Sequence, residues 1–160
     1  MPSEIRGDNP ESDSQRLNRN IAEVLQELRV AEVGVQILFA FLLTLPFSQR
    51  FTHLNGQERR IYFTTLLLAA GSSALFIAPT AFHRIVFRHN ERRRLVRGAS
   101  WMLLGGLTLL MLAVCGAILL VSDFMFGLSV AGITTAGVAA FYLLFWYVIP
   151  IASRIRGPDR

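Results

Sequence analysis

The sequence predicts an all-α polytopic membrane protein with four transmembrane helices preceded by a short amphipathic cytoplasmic helix. Hydrophobic residues make up 52% of the 160 positions. They form four long runs, each able to supply the roughly 20 residues of helix that cross a bilayer, and they lack the 3.6-residue spacing of a surface helix. We expect one transmembrane domain, residues 14–150, between a disordered tail at residues 1–13 and a basic tail at residues 151–160.

Proline residues and a short connection mark the limits of the spans. Pro46 is expected to end the first helix, Pro79 to kink or terminate the second, and Pro150 to close the fourth, because proline cannot donate the helical hydrogen bond. The connection at residues 123–127 is so short that the third and fourth helices must be antiparallel neighbours. The spans are expected at about residues 28–47, 61–82, 99–122 and 128–149.

An amphipathic pattern occupies residues 14–28, before the first span. Leu17 and Ile21 recur at helical spacing, while Arg19 and Glu23 take the other side. We expect a helix that lies along the membrane surface and runs into the first span. The alternative is a solvated extension of that span.

Arginine is distributed unevenly between the two ends of the expected spans. All 16 basic residues are arginine, and 13 of them fall on one side if the amino terminus is cytoplasmic, against Arg50, Arg59 and Arg60 on the other. The positive-inside rule then places both termini in the cytoplasm of a bacterium, for a multi-pass inner-membrane protein. Arginines of the middle loop are expected to contact anionic lipid headgroups rather than nucleic acid. They are Arg88, Arg92, Arg93, Arg94 and Arg97.

The first span is the only one that carries opposite charges into its apolar run. Arg29, Glu32 and Gln36 share one helix face, and the second span ends at the same side of the membrane with His83 and Arg84. Ionisable groups at a membrane boundary indicate a functional site. These five residues are therefore a candidate proton or ion site, with Glu32 as the proton carrier.

Two alternatives remain open for these charged residues. In the first, Glu32 pairs with Arg84 or Arg29 and clamps the first two helices together. In the second, the charged side chains merely extend into the headgroups. The polar face continues through Ala40 and Thr44, and it should face protein or water because lipid solvates it poorly.

Small residues suggest how copies of the chain associate. They occupy residues 69–74 of the second span and the face formed by Gly132, Ala136 and Ala140 of the fourth. Small residues let helices approach closely in a membrane. We expect a homo-oligomer joined through one of these two faces, and the sequence names no other protein partner.

Motifs for catalysis and cofactor binding are absent from the sequence. It has no nucleotide-binding loop and no hydrolase triad. Cys115 is the single cysteine, within an apolar run, so neither a disulfide nor a metal site is expected. Haem ligation would need histidines within the spans, and there are none. We expect no cofactor and no enzymatic activity.

Two stretches carry a resemblance to a known family. The first begins Glu27-Leu28-Arg29-Val30 and closes with Leu45-Pro46-Phe47, and the second joins Ala78-Pro79 to His83-Arg84 and Phe87-Arg88. They resemble the signatures of an uncharacterised bacterial family of four-helix integral membrane proteins. The resemblance implies a domain of unknown function, and some members carry a sodium:proton antiporter label. Both signatures coincide with the candidate site around Glu32.

The leading interpretation is a structural or accessory membrane protein. The alternative is a small oligomeric ion or proton-coupled transporter, similar to a sodium:proton antiporter, that uses Glu32. Known antiporter folds contain many more helices, with breaks at the bilayer midplane. A water-accessible cavity lined by Glu32 and Gln36 would favour transport, whereas a dry Glu32–Arg84 contact would favour the clamp.

Overall fold

The structure, a computed structural model, describes residues 13–86 and 92–156, and within these ranges it contains helices and no strand. The α-helices are α1 (Asp13–Thr44), α2 (Gly56–Val86), α3 (Arg92–Phe126), α4 (Leu128–Leu143) and α5 (Ile149–Arg156). Four stretches are long and apolar enough to cross a membrane: Arg29–Phe47, Gly56–Pro79, Trp101–Phe126 and Leu128–Ser153. The predicted all-α class with four such helices is confirmed. The expected disordered tail lies, except for Asp13, outside the described residues.

The amphipathic stretch and the first span form a single helix, α1. It runs for 32 residues without interruption, about 48 Å at 1.5 Å per residue. A helix lying along the membrane surface would have to turn before entering the bilayer, and α1 contains no break for such a turn. The arrangement is that of an extension of the span. As expected, α1 ends just before Pro46, which lies in a 3₁₀ turn, Leu45–Phe47.

The start of α2 is defined by a reciprocal cap between Asn55 and Glu58. Asn55 Oδ1 accepts hydrogen bonds from the backbone N–H groups of Gln57 at 2.8 Å and Glu58 at 2.9 Å. The Asn55 N–H in turn donates to Glu58 Oε2 at 2.7 Å. This exchange satisfies donors that a helix start leaves unpaired. It explains why α2 begins at Gly56, several residues before the apolar run.

Both later helices continue past their prolines. Pro79 does not terminate α2, which extends to Val86. The prediction that Pro150 closes the fourth helix is wrong, because α4 continues through a π-helical turn, Leu144–Val148, directly into α5. A proline ring collides with the carbonyl four residues earlier. The wider π turn, with bonds five residues apart, accommodates Pro150 without ending the helix.

Among the described residues the helices form an open row rather than a four-helix bundle. α2 and α3 pack most extensively, α1 lies mainly on α2 and touches α3 slightly, and α4 lies on α3. Within the described residues, α1 and α4 are not in contact. The core is correspondingly thin. Its larger cluster consists of Leu42, Tyr62, Ala69, Ala113 and Leu120.

Small residues hold α2 and α3 close together. Ala69 and Ser72 of α2 are fully buried, and Ser72 Oγ donates to the Gly106 carbonyl of α3 at 2.8 Å. A Cβ added at Gly106 would lie 2.6 Å from the Phe76 ring. The small-residue face of α2 is thus used inside the chain, so of the two faces considered for self-association only that of α4 is left uncovered.

A single residue, Gly127, connects α3 to α4. Its φ of +84° lies in the left-handed region that residues with a Cβ rarely adopt. Its N–H donates to the Asp123 carbonyl at 2.9 Å, and its own carbonyl accepts from Ala131 N–H at 3.1 Å. Because α3 continues through Phe126, the connection is shorter than the expected five residues. The hairpin is accordingly tight, and α3 and α4 are neighbours as expected.

Candidate functional site

The core-facing side of α1 determines where its polar side chains lie. Val35 and Leu42 are fully buried two turns apart, and Ala31 packs against the same small cluster as Val35. Glu32 follows Ala31 and is half-buried at the edge of this contact, while Gln36 follows Val35 and is exposed. The candidate carboxylate is therefore at a boundary between the helix contact and the outer surface.

Glu32 has one hydrogen-bond partner among the described side chains. Gln36 Nε2 donates to Glu32 Oε1 at 3.3 Å, one turn along the same helix. Arg29 is exposed, and in the described part of the chain it forms no ion pair with Glu32. A side-chain pair one turn apart on a helix, such as Glu32 and Gln36, stabilises that helix by about 0.2–0.5 kcal/mol. The version of the clamp that used Arg29 is absent from the structure.

The end of α2 lies beside the start of the first span. Val35 of α1 and Phe76 of α2 belong to one buried cluster. The two helices are antiparallel, so Glu32, three residues before Val35, and Pro79, three residues after Phe76, lie at the same level. Pro79 is buried. The backbone thus brings together the two signatures on which the family resemblance rests.

The partners expected from α2 and α3 are placed only by their backbone. His83 and Arg84 lie in the last turn of α2, and the structure does not describe their side chains, so a Glu32–Arg84 contact stays a prediction. The same holds for the lipid-binding arginines. Arg88 lies outside the described residues, while Arg92, Arg93, Arg94 and Arg97 lie in the first turns of α3, with side chains that are likewise not described.

In the described part of the chain, no other helix covers the polar face of α1. Gln36, Ala40 and Thr44 are all exposed. The Thr44 hydroxyl has a hydrogen-bond partner within α1, since it donates to the Phe41 carbonyl at 2.7 Å. The face was expected to meet protein or water, and none of the described residues of other helices covers it.

Besides the bond from Ser72 to the Gly106 carbonyl, two further polar contacts between helices were not foreseen from the sequence. The buried Tyr62 hydroxyl of α2 donates to the Leu42 carbonyl of α1 at 2.9 Å. The Thr108 and Tyr147 hydroxyls, on α3 and the π turn, are 2.6 Å apart and share a hydrogen bond. A hydroxyl inside an apolar run must find a partner when it is buried. That requirement was visible in the sequence, but the identity of each partner was not.

A groove between α2 and α3 was also missed. It has a volume of about 340 Å³ and lies at the end of α2 remote from Glu32, with Gln57 and Arg60 at its mouth, Leu68 at its deep end and Gly116 on its floor. The sequence signal that could have indicated this groove is the pair Arg60 and Thr64, which lie one turn apart at the start of the second span. Among the side chains that the structure describes, no group of His, Cys, Asp or Glu could hold a metal ion.

Comparison with known proteins finds a family and no characterised relative. Residues 10–150 match the model of a family of unknown function, DUF6328. No curated protein and no solved structure matches the chain. The expected membership of an uncharacterised family is confirmed, and the description of this family contains no transport or other activity.

Proposed function

The chain belongs to DUF6328, a family of unknown function, and on that premise we propose that the protein is a structural or accessory component of a membrane. The observation that carries the proposal is its apolar outer surface. Phe47, Trp101 and Ile133 are 90%, 71% and 76% exposed, and no candidate span buries more than 28% of its apolar window. Soluble proteins rarely expose apolar patches beyond a few hundred Å². A bilayer solvates such a surface.

The arrangement of the buried hydroxyls supports a structural role. Tyr62 joins α2 to α1, Ser72 joins α2 to α3, and Thr108 joins α3 to the end of the fourth helix through Tyr147. Each contact links one helix to its neighbour in the row. Tyr62, Ser72 and Thr108 are therefore engaged in holding the helices together, whereas Thr135 Oγ1 is buried without a hydrogen-bond partner among the described residues.

The proposal places the chain in a bacterial inner membrane with both termini in the cytoplasm, on the strength of the arginine asymmetry. Cysteine labelling tests the orientation in a Cys115→Ala background, since Cys115 is the single cysteine. A cysteine at Thr52, between α1 and α2, should react with a membrane-impermeant maleimide in intact spheroplasts. A cysteine at Ser153, in α5, should react only after the membrane is permeabilised. The reverse pattern would invert the topology, and reaction only in a soluble fraction would refute the membrane assignment.

Self-association through α4 is part of the same proposal. Gly132, Ala136 and Ala140 are exposed, and a Cβ added at Gly132 meets nothing within 4 Å. In lipid such a face favours close contact with another helix. Ala136→Cys in the Cys115→Ala background should form a disulfide-linked dimer in membranes. Thr134→Cys, exposed and about 160° around the helix, is the matched control, and equal cross-linking at both positions would indicate random collision.

A second candidate function is proton- or ion-coupled transport through Glu32. The hydrogen bond between the half-buried Glu32 and the exposed Gln36, both within a candidate span, is the observation that favours it. Proton flux driven by a sodium gradient should be measured in proteoliposomes for the wild type, Glu32→Gln and the control Asp123→Asn. The structural proposal expects no flux in any of the three. Flux that is lost only in Glu32→Gln would replace it with the transport function.

A further inference from the structure

The groove between α2 and α3 has the polarity gradient of a phospholipid, and we propose that it holds one anionic phospholipid. The phosphate would bind at Arg60 and an acyl chain would lie along the groove towards Leu68. The inference rests on the proposed membrane location. The site lies at the opposite end of the helices from the arginine-rich loop of the sequence analysis.

The residues of the groove form one continuous face of α2. Arg60, Thr64 and Leu68 line it and follow one another at intervals of four residues, so they lie on one side of the helix. Leu68 is about 12 Å deeper than Arg60, since each residue rises 1.5 Å. The face thus changes from charged, through hydroxyl-bearing, to apolar over the depth at which a lipid changes from headgroup to hydrocarbon.

The polar side chains at the mouth have unused hydrogen-bonding capacity. Arg60, Gln57 and Thr64 are exposed, and none of these side chains has a hydrogen bond or ion pair within the described part of the chain. The nearest carboxylate in sequence, that of Glu58, is engaged with the Asn55 N–H. A guanidinium without a counter-ion attracts a phosphate, which it can bind through two parallel hydrogen bonds. Charge complementarity therefore favours an anionic headgroup.

The floor of the groove is shaped by Gly116 of α3. It lies so close to Thr65 that a Cβ there would overlap the Thr65 hydroxyl. Thr65 is itself satisfied, because its hydroxyl donates to the Ile61 carbonyl at 2.7 Å. Beyond Thr64 the groove consequently presents the aliphatic side chain of Leu68, and no lining residue there has an unpaired polar side chain. A helix, about 10 Å wide, is too broad for a depression of about 340 Å³, whereas an acyl chain is narrow.

Lipid retention by the delipidated full-length protein in detergent tests the proposal. Native mass spectrometry should compare phosphatidylglycerol with phosphatidylcholine of the same acyl chains. Since the far-end arginines also attract anionic lipid, the readout is the difference between two variants. Arg60→Gln should weaken phosphatidylglycerol binding about fivefold more than Arg59→Gln, an exposed neighbour that does not line the groove. If the two substitutions weaken binding equally, the lipid is attracted by the general charge of the surface, and the proposed site is refuted.

A substitution that fills the groove tests the second part of the proposal, namely that an acyl chain lies along it. Thr64→Phe should lower retention of both lipids, whereas Leu67→Phe, at an exposed position outside the groove, should leave retention unchanged. A photoactivatable phosphatidylglycerol should form adducts on residues 57–68 or around residue 116, and adducts confined to other regions would refute the site. If the chain proves soluble without detergent, the membrane proposal itself fails. If it needs detergent but Arg60→Gln binds lipid as the wild type does, only the groove proposal fails.

Discussion

Gly116 offers a sharp test of how α2 and α3 pack. Besides overlapping the Thr65 hydroxyl, a Cβ at position 116 would lie 3.2 Å from Thr65 Cβ and 3.3 Å from Thr65 Cγ2. Thr65 is 1% exposed, its hydroxyl is bound to the Ile61 carbonyl, and a β-branched side chain in a helix has few other rotamers. The Gly116→Ala methyl therefore forces the helices apart.

The size of the effect follows from two opposing terms. Overpacking a well-packed contact costs about 1–3 kcal/mol, and the overlap with Thr65 suggests the upper half of that range. Replacing glycine by alanine within a helix returns up to about 1 kcal/mol. We expect Gly116→Ala to lower the free energy of unfolding by about 1–2 kcal/mol. Titration with sodium dodecyl sulfate in mixed micelles, followed by circular dichroism, measures it.

Two companion variants separate this contact from a general effect of the substitution. Thr65→Ala removes Oγ1 and Cγ2, so Gly116→Ala should cause little or no further loss in that background. Gly137→Ala, outside the proposed self-association face and with nothing within 4 Å of the added methyl, should not destabilise the protein. Wild-type stability of Gly116→Ala would refute the reasoning. So would a loss that persists unchanged when Thr65 is alanine, or an equal loss in Gly137→Ala.

Three further substitutions test individual hydrogen bonds by the same titration. Tyr62→Phe keeps the ring but removes the bond to the α1 backbone, and it should cost about 0.5–1.5 kcal/mol. Asn55→Ala should cost about 0.5–2 kcal/mol because two N–H groups lose their cap, whereas Asn55→Asp should preserve stability. Thr108→Val should cost about 1 kcal/mol in the wild type and less in Tyr147→Phe, where the bond between the two hydroxyls is already gone and only the Thr108 bond to the Leu104 carbonyl at 2.7 Å is lost. Additive losses would contradict that pairing.

Much of the fold could be predicted because the bilayer length is a local requirement. About 20 apolar residues in a row are enough to predict a spanning helix, whatever that helix packs against. The pairing of Glu32 with Gln36 is equally local, because residues four apart on a helix are neighbours. That Glu32 and Pro79 lie at the same level of the two helices follows from their antiparallel arrangement alone.

Predictions failed where tertiary packing or a local change in backbone geometry overrides a rule that considers only neighbouring residues. Pro150 was expected to close the fourth helix, but the π turn Leu144–Val148 carries the chain past it. The small residues of α2 and α4 look alike in sequence. Only the structure shows that Ala69 and Ser72 are covered by α3 while Gly132 faces outward.

The sequence by itself determined the number of helices, their type and the asymmetry of charge between their ends. These properties depend on residues close together in the chain, namely apolar run length and the arginines that flank each run. The tertiary structure decided which helix touches which, and hence that, over residues 13–86 and 92–156, the helices form an open row with α4 packed on α3 and not on α1 or α2. It also decided which polar groups are satisfied and where a groove remains. Such outcomes depend on close approaches, as at Gly106 and Gly116, between residues that are far apart in the chain, and no local pattern encodes them.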